Sequence, residues 1–265
     1  RAMRLLFEER DRLAEAIDRE HDLLEQLSQS HQQEIELSRL KSQIITTVSH
    51  EFRTPLTVIS NSVELLTSYH DKFDAKKRAA IQQRIDESVY YLTGLLQDAS
   101  LVNKAYTQGF QPNMVSMPLN GIGQRLKKEL LQETNDPPNV VFQFSPEDDT
   151  AVCLDYDFTY HAVFCFLSNA LKYSPATEPI IINLALAEQL TISVTDAGIG
   201  IAPEDTQQIW EMFFRGDNTL NQRGLGFGLY LAKRLAQAMG GSVTAVSPGL
   251  NQGSTFTLQI HQRPC

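Results

Sequence analysis

Several things are scarce in this 265-residue chain, and each scarcity removes a class of explanation. Three cysteines (Cys153, Cys165, Cys265) form no CxxC pair and leave an odd count, which argues against a disulfide framework and for a reducing compartment. No apolar run approaches the ~18 residues that span a bilayer, and no secretory leader is recognisable. There is no run of Lys or Arg, and the net charge is −9, so nucleic acid or an anionic membrane is a poor partner for the bulk of the chain. The first residue is Arg rather than Met, which suggests a piece of a longer protein, with any membrane anchor in a part absent from this chain. Up to about residue 106 the only proline is Pro55 and the only glycine Gly94, with Gly109 at the edge. Beyond that point both residue types and β-branched runs become common, marking a boundary near "TQGFQPN", 107–113.

The proline- and glycine-poor part reads as helix. Leu6, Leu13, Glu20 and Leu27 fall seven apart, with Ile17, Leu24 and His31 as a second series, an imperfect heptad seam. The stripe continues through Leu40, Ile44, Val48, Phe52, Ile59, Val63 and Leu66, then breaks at "SYHDKFDA", 68–75, with Asp74 as an N-cap. Ile81, Ile85, Ser88, Leu92, Leu95, Ala99 and Val102 form a second stripe. Two helices with one apolar stripe each make a hairpin that leaves half of its apolar surface wet. Pairing with a second copy as a four-helix bundle covers it.

The second part alternates strands with helices. Strands are expected at 139–145, 179–187, 190–198, 241–247 and 254–260, and helices in "LNGIGQRLKKELLQE", "DFTYHAVFCFLSNALKYS" and "GFGLYLAKRLAQAMGG". This order predicts an α+β sandwich, a mixed sheet with helices on one face. No Walker-type GxxxxGK[ST] is present.

Four segments carry possible chemistry. In "SHEFRTPLT", 49–57, His50 lies about 200° around the helix from Val48, off the apolar stripe, with Glu51 beside it and Thr54 one turn on. Pro55 removes an amide and crowds the carbonyl of residue 51, weakening the helix next to His50. Taken alone, the same residues describe a solvated histidine on a helix that bends. In "FLSNALKYSP", 166–175, Asn169 and Lys172 offer an amide oxygen and an ammonium; an ordinary helix end reads the same way. "DAGIGI", 196–201, is a tight turn after a strand, where Asp196 can accept from an exocyclic amine. "RGLGFGLYLAKRL", 223–235, sets Gly224, Gly226 and Gly228 ahead of a helix start, where backbone amides converge on an anion.

Together these segments resemble the sensor histidine kinases of two-component signalling. The likeness covers roughly 38–262 and implies an antiparallel helical hairpin forming a dimeric four-helix bundle, preceded by a coiled coil and followed by a Bergerat-type ATP-binding α/β sandwich. Its implied boundaries are 1–39 (coiled-coil signalling helix), 40–108 (dimerisation and phosphotransfer hairpin) and 109–265 (ATP-binding domain). By that likeness His50 receives the γ-phosphoryl group of ATP, Glu51 orients the ring and takes its proton, and Thr54 serves the reverse phosphatase reaction. Asn169 ligates Mg²⁺, Asp196 reads the adenine amino group, Gly198 and Gly200 shape the adenine pocket, and Lys172 and Tyr173 lie near the nucleotide. Gly224, Gly226 and Gly228 line the phosphates. "IWEMFFRGD", 209–217, resembles the phenylalanine box opening the ATP lid, with Arg215 facing phosphate or the histidine helix, and "GSTFTL", 253–258, matches the closing strand. Implied partners are a second copy and the receiver domain of a response regulator, and the implied location is the cytoplasm, anchored to membrane only through absent parts. The sequence departs from the family at Cys165, where an asparagine is frequent, and at Phe227, where leucine is usual; its lid, "RGDNTLNQRG", is short. Cys165 motivates an alternative: a dimeric scaffold, or a phosphatase-dominated enzyme with weak kinase activity. A chaperone- or repair-type ATPase of the same nucleotide fold, or a bare coiled-coil module, explains less of the chain.

Overall fold

A computed structural model describes residues 45–69, 72–134, 136–145, 147–216 and 226–262, with Thr219, Cys265 and scattered positions between 21 and 42. Most of the coiled-coil expectation for 1–39, and the phosphate-site glycine Gly224, lie outside the described residues; the scattered positions described between 21 and 38 are helical. Two compact units are present, Arg1–Thr54 and Pro55–Cys265. In the first, residues 45–54 are helical.

The second unit begins with helix over 55–68, here called α1, so Pro55 sits in helical backbone and is itself buried. After the break, α2 spans Ala75–Gln108. Asp74 caps it as its sequence position predicts, its Oδ1 accepting the Lys77 amide at 2.7 Å. On α2 the expected stripe is the buried one: Ile81, Ser88 and Leu95, seven apart, are 5%, 2% and 4% exposed. On α1 the seam differs slightly. Ser62 is buried whereas Val63 stays largely exposed, so the inward face is centred on Pro55 and Ser62.

Gly109, in the left-handed region at φ 70°, ends α2 and the chain enters an α/β sandwich. A five-stranded sheet has the order β2-β4-β5-β7-β6, with β2 at Val140–Gln143, β4 at Ile180–Leu186, β5 at Gln189–Asp196, β6 at Ser242–Val246 and β7 at Ser254–His261. β2 and β4 are parallel and every other pair is antiparallel, so the sheet is mixed as expected. Alternate residues Ile180/Ile182/Leu184, Leu190/Ile192/Val194 and Phe256/Leu258/Ile260 bury one face. Against it pack α3 (Leu119–Glu133), α4 (Tyr156–Tyr173) and α5 (Gly228–Ala238). A two-stranded antiparallel ribbon, β1 (Val115–Pro118) with β3 (Ala151–Leu154), was not anticipated. Its four-residue strands carry too little alternation to stand out.

Asp155, directly after β3, ties three segments together. Its Oδ1 accepts the Phe158 amide at 2.9 Å to cap α4, while its Oδ2 accepts the Asn113 amide at 2.7 Å from the segment leaving α2. Phe110 packs edge-on against Phe158 in the same place, ring centroids 5.7 Å apart.

The cysteine expectation is corrected here. Cys153 of β3 and Cys265 form a disulfide across 112 positions, with Cα atoms 5.6 Å apart, and Cys165 is not disulfide-bonded. An odd count with no short spacing conceals a pair that the fold, not the local sequence, brings together.

Candidate nucleotide site and phospho-acceptor helix

In the first unit, His50 behaves as its place on the helix predicts. Its side chain is 76% exposed, with Nδ1 3.9 Å from Oε1 of the less exposed Glu51. Thr54 is exposed one helical turn further on. An exposed imidazole keeps a ring nitrogen open to an incoming electrophile.

In the second unit, a cavity of about 920 Å³ gathers nearly all the other candidates: Asn169, Lys172 and Tyr173 from α4, Asp196 from β5, then Gly200, Arg215, Gly226 and Gly228. The volume suits a nucleotide-sized ligand. α4 delivers Asn169 and Lys172 because its buried face (Ala162, Val163, Phe166, Leu167, Ala170) is pinned to the sheet and leaves 169 and 172 on the open side. Lys172 Nζ lies 4.8 Å from the centroid of the Tyr173 ring.

Gly198 stands behind the cavity wall rather than in it. Its amide donates to Asp196 Oδ1 at 2.7 Å, and a Cβ there would meet the same oxygen at 2.7 Å and the Tyr173 carbonyl at 2.8 Å. Ser174 Oγ also donates to Asp196 Oδ1, at 3.3 Å, a contact that nothing in the sequence pattern announced. Burial nevertheless pushes the Asp196 carboxyl above the usual range, against the lowering effect of these hydrogen bonds. The folded state therefore holds this proton more tightly than the unfolded chain. The apo protein loses stability as pH rises from the ordinary aspartate value through the raised one. Asp196→Asn keeps an acceptor for Gly198 but carries no charge. It is expected to raise the Tm of the nucleotide-free protein at pH 7 and, if Asp196 accepts from adenine, to weaken adenine-nucleotide binding by about 10–100-fold. Thermal unfolding and calorimetric titration read the two effects separately.

The turn after Asp196 is braced by the loop before β7. Gly200 has φ 67°, and a Cβ would come within 2.0 Å of the Gly249 carbonyl oxygen. Ser247 Oγ donates to the Gly253 carbonyl at 2.7 Å and accepts the Ile201 amide at 3.0 Å. The Asn251 amide donates to the Ile199 carbonyl at 2.7 Å and that of Gly253 to the Gly198 carbonyl at 3.1 Å. Ser247 and Asn251 thus shape the site without touching it, and their roles depend on tertiary contacts.

At the other end, Gly226 (φ 71°) leads into α5 at Gly228. Its carbonyl accepts the Phe213 amide at 3.2 Å, and a Cβ on it would lie 2.8 Å from the Phe214 carbonyl oxygen, so the phenylalanine-rich segment seats directly on the glycines. Phe227 is buried, its ring 4.9 Å from that of Phe213; the larger ring at this position packs inward. Arg215 is half-buried and donates from Nη2 to the Thr219 carbonyl at 2.7 Å, so it braces the start of the lid segment. Cys165 lines the cavity one turn before Asn169, its Sγ 3.5 Å from where a Cβ on Gly228 would stand.

α2 supplies a wall of the same cavity through Glu87, Tyr90, Tyr91, Gly94 and Leu95. Leu231 and Leu235 of α5 line this side too and are almost wholly buried. The Tyr90 hydroxyl donates to Glu133 of α3, 3.1 Å to Oε1 and 3.3 Å to its carbonyl. Burial, then the Glu133 charge, pushes the phenol up to about 12, so it remains a donor over the working pH range. Tyr90→Phe should cost about 0.5–1.5 kcal/mol, a Tm fall of a few degrees, with faster hydrogen exchange around residues 86–96.

A family model described as histidine kinase-, DNA gyrase B- and HSP90-like ATPase matches residues 154–264, and one for the His Kinase A (phospho-acceptor) domain matches residues 40–105. The chain belongs to the sensor histidine kinases. It is 26% identical over 241 residues to sensor histidine kinase YclK of Bacillus subtilis (strain 168), covering 90% of this chain and 50% of that protein. It is 30% identical over 227 residues to sensor histidine kinase WalK of the same organism, covering 82% of this chain and 36% of that protein. The chain thus spans about half or less of the length of these relatives. Among solved structures, histidine kinase AdeS of Acinetobacter baumannii has the same fold, with a TM-score of 0.59 at 20% identity over 81% of this chain and 98% of that one. In this histidine kinase, the acceptor-domain match contains His50, Glu51 and Thr54, and the ATPase match contains every nucleotide-site candidate from Asn169 to Gly228. No helix among the described residues is long and apolar enough to cross a membrane.

Proposed function

We propose that this chain transfers the γ-phosphoryl group of ATP to His50 and passes it on to an aspartate of a response-regulator receiver domain. The observation that carries this reading is the single cavity uniting Asp196, Asn169 and the glycine start of α5, in a chain that also presents an exposed imidazole within an acceptor-domain match. Asp196 accepts from the adenine amine, Gly198 backs that carboxylate, Gly200 lets the base approach the turn, and Lys172 and Tyr173 flank it. Amides at Gly224, Gly226 and Gly228 and the positive end of α5 hold the phosphates. Asn169 is the one protein ligand proposed for Mg²⁺. Among the described residues no group of three or more His, Cys, Asp or Glu could cage a metal. One amide oxygen suits an ion that keeps its waters and takes phosphate oxygens, and when bound it neutralises phosphate charge. The His50 nitrogen attacks Pγ, the N–P bond forms as the bond to the β-phosphate oxygen breaks, and Glu51 takes the ring proton. Thr54 positions a water for the reverse attack on a phosphorylated regulator. Arg215, released from Thr219, balances charge.

The chain works as a homodimer. Leu56 and Val63 on α1, and Val89 and Leu96 on α2, are each seven apart and 46–58% exposed, which leaves the hairpin an apolar stripe for a second copy. The chain acts in the cytoplasm. The test is incubation with γ-labelled ATP and Mg²⁺: label on the chain, stable to alkali and lost in acid, supports the reading. ATP turnover with no label on the chain overturns it in favour of another ATPase of the same fold. A phosphatase-weighted balance is the second reading, favoured by the thiol of Cys165 beside Gly228, a weak hydrogen-bond partner where phosphate groups gather. Nucleotide binding and regulator dephosphorylation without labelling would select it.

A further inference from the structure

The disulfide lies outside the nucleotide chemistry, yet its position in the fold is specific. Cys153 sits in β3 between Val152 and Leu154, both fully buried, and is itself 7% exposed; Cys265 is exposed. The backbone beyond β7 returns to β3, where the Cys153 amide donates to Gln262 Oε1 at 3.0 Å, so the two cysteines are presented to each other by neighbouring polar contacts as well as by the covalent bond. The bond joins the small ribbon to the segment that follows β7, and the 112-position loop it closes contains every nucleotide-site candidate.

We infer that Cys153 and Cys265 form a thiol–disulfide site whose redox state sets the stability of the nucleotide-binding half. Three features make the bond conditional. One sulfur belongs to an exposed residue, so an attacking thiolate can reach it. The closed loop is long, so the constraint removed from the unfolded chain is large. The rest of the domain buries a continuous core without the bond, so reduction leaves a folded protein. An external thiolate attacks Sγ of Cys265, the S–S bond breaks, and Cys153 leaves as a thiolate that takes a proton. A second external thiol then resolves the mixed disulfide. The balance is one protein disulfide and two external thiols giving two protein thiols and one external disulfide, and oxidation by a low-molecular-weight disulfide is the reverse. The clamp restrains the unfolded chain rather than the reacting groups, so reduction acts on thermal and proteolytic lifetime.

The experiment equilibrates the full chain with glutathione disulfide or with reduced glutathione, counts alkylated thiols by mass spectrometry and follows thermal unfolding. No phosphoryl transfer enters the readout, so its failure is separate from failure of the kinase assignment. The expected result is one alkylated thiol, at Cys165, after oxidation and three after reduction, with the oxidised Tm about 5–15 °C higher. Cys265→Ser, at an exposed position, should unfold at the Tm of the reduced protein and ignore the oxidant, whereas Cys165→Ser should retain the redox shift. Three alkylated thiols under oxidant, a bond mapped to Cys165 or to a second copy, or an unchanged Tm on reduction each overturns the proposal.

Discussion

Replacing His50 by glutamine is expected to reduce labelling from γ-labelled ATP to background while nucleotide affinity stays at the wild-type value. The carboxamide nitrogen shares its lone pair with the carbonyl and cannot attack phosphorus, whereas an imidazole nitrogen keeps its pair in the ring plane. The substitution leaves the helix alone: glutamine is a good helix former, and a side chain 76% exposed has little packing to lose. Thermal unfolding should therefore match wild type. The decisive pair of measurements is acid-labile label per chain and calorimetric affinity for a non-hydrolysable ATP analogue. Residual acid-labile label above background in His50→Gln would place the acceptor on another residue.

Gly200→Ala should have the largest effect on the fold. The backbone there has φ 67°, which costs an alanine about 1–2 kcal/mol, and the added carbon would stand 2.0 Å from the Gly249 carbonyl oxygen. That oxygen cannot swing aside, because it is backbone, and the 247–253 loop is itself held to the turn through Ser247 and Asn251. Several kcal/mol of stability should disappear, with a Tm lowered by ~10 °C or more and nucleotide binding lost at temperatures where the protein remains folded. Gly228→Ala is the informative contrast. Its nearest obstacle is the Cys165 sulfur at 3.5 Å, an ordinary contact, so stability should change little. If Gly200→Ala unfolds at the wild-type temperature, the turn has more freedom than these contacts permit.

The helices of the sandwich were legible because their inward faces repeat at helical spacing. "LNGIGQRLKKELLQE" coincides with α3, and the stripe through Ile81, Ser88 and Leu95 is the buried one on α2. The five sheet strands alternate cleanly enough to be read within two residues at their ends. What escaped was decided by contacts between distant segments. β1 and β3 are short edge partners, Ser247 and Asn251 matter only because one loop folds over another, and Cys153 and Cys265 meet through the return of the chain after β7. The placement of Gly198 shows the same limit. Its motif marks a nucleotide turn, but only the fold reveals that it backs Asp196 instead of lining the cavity. For Arg215 the motif suggests a phosphate neighbour, while the geometry has it occupied with Thr219.

Asp155 has one further consequence. Between the end of α2 and the start of β1 only the residues from Gly109 to Met114 intervene, a leash of at most about 20 Å if fully extended. Because its Asn113 end is cleated to the same carboxylate that roots α4, slack in that leash is shorter still. Any twist leaving the hairpin is therefore delivered as a tug on the base of the rod whose far end carries Asn169, a line of transmission separate from the Tyr90–Glu133 contact.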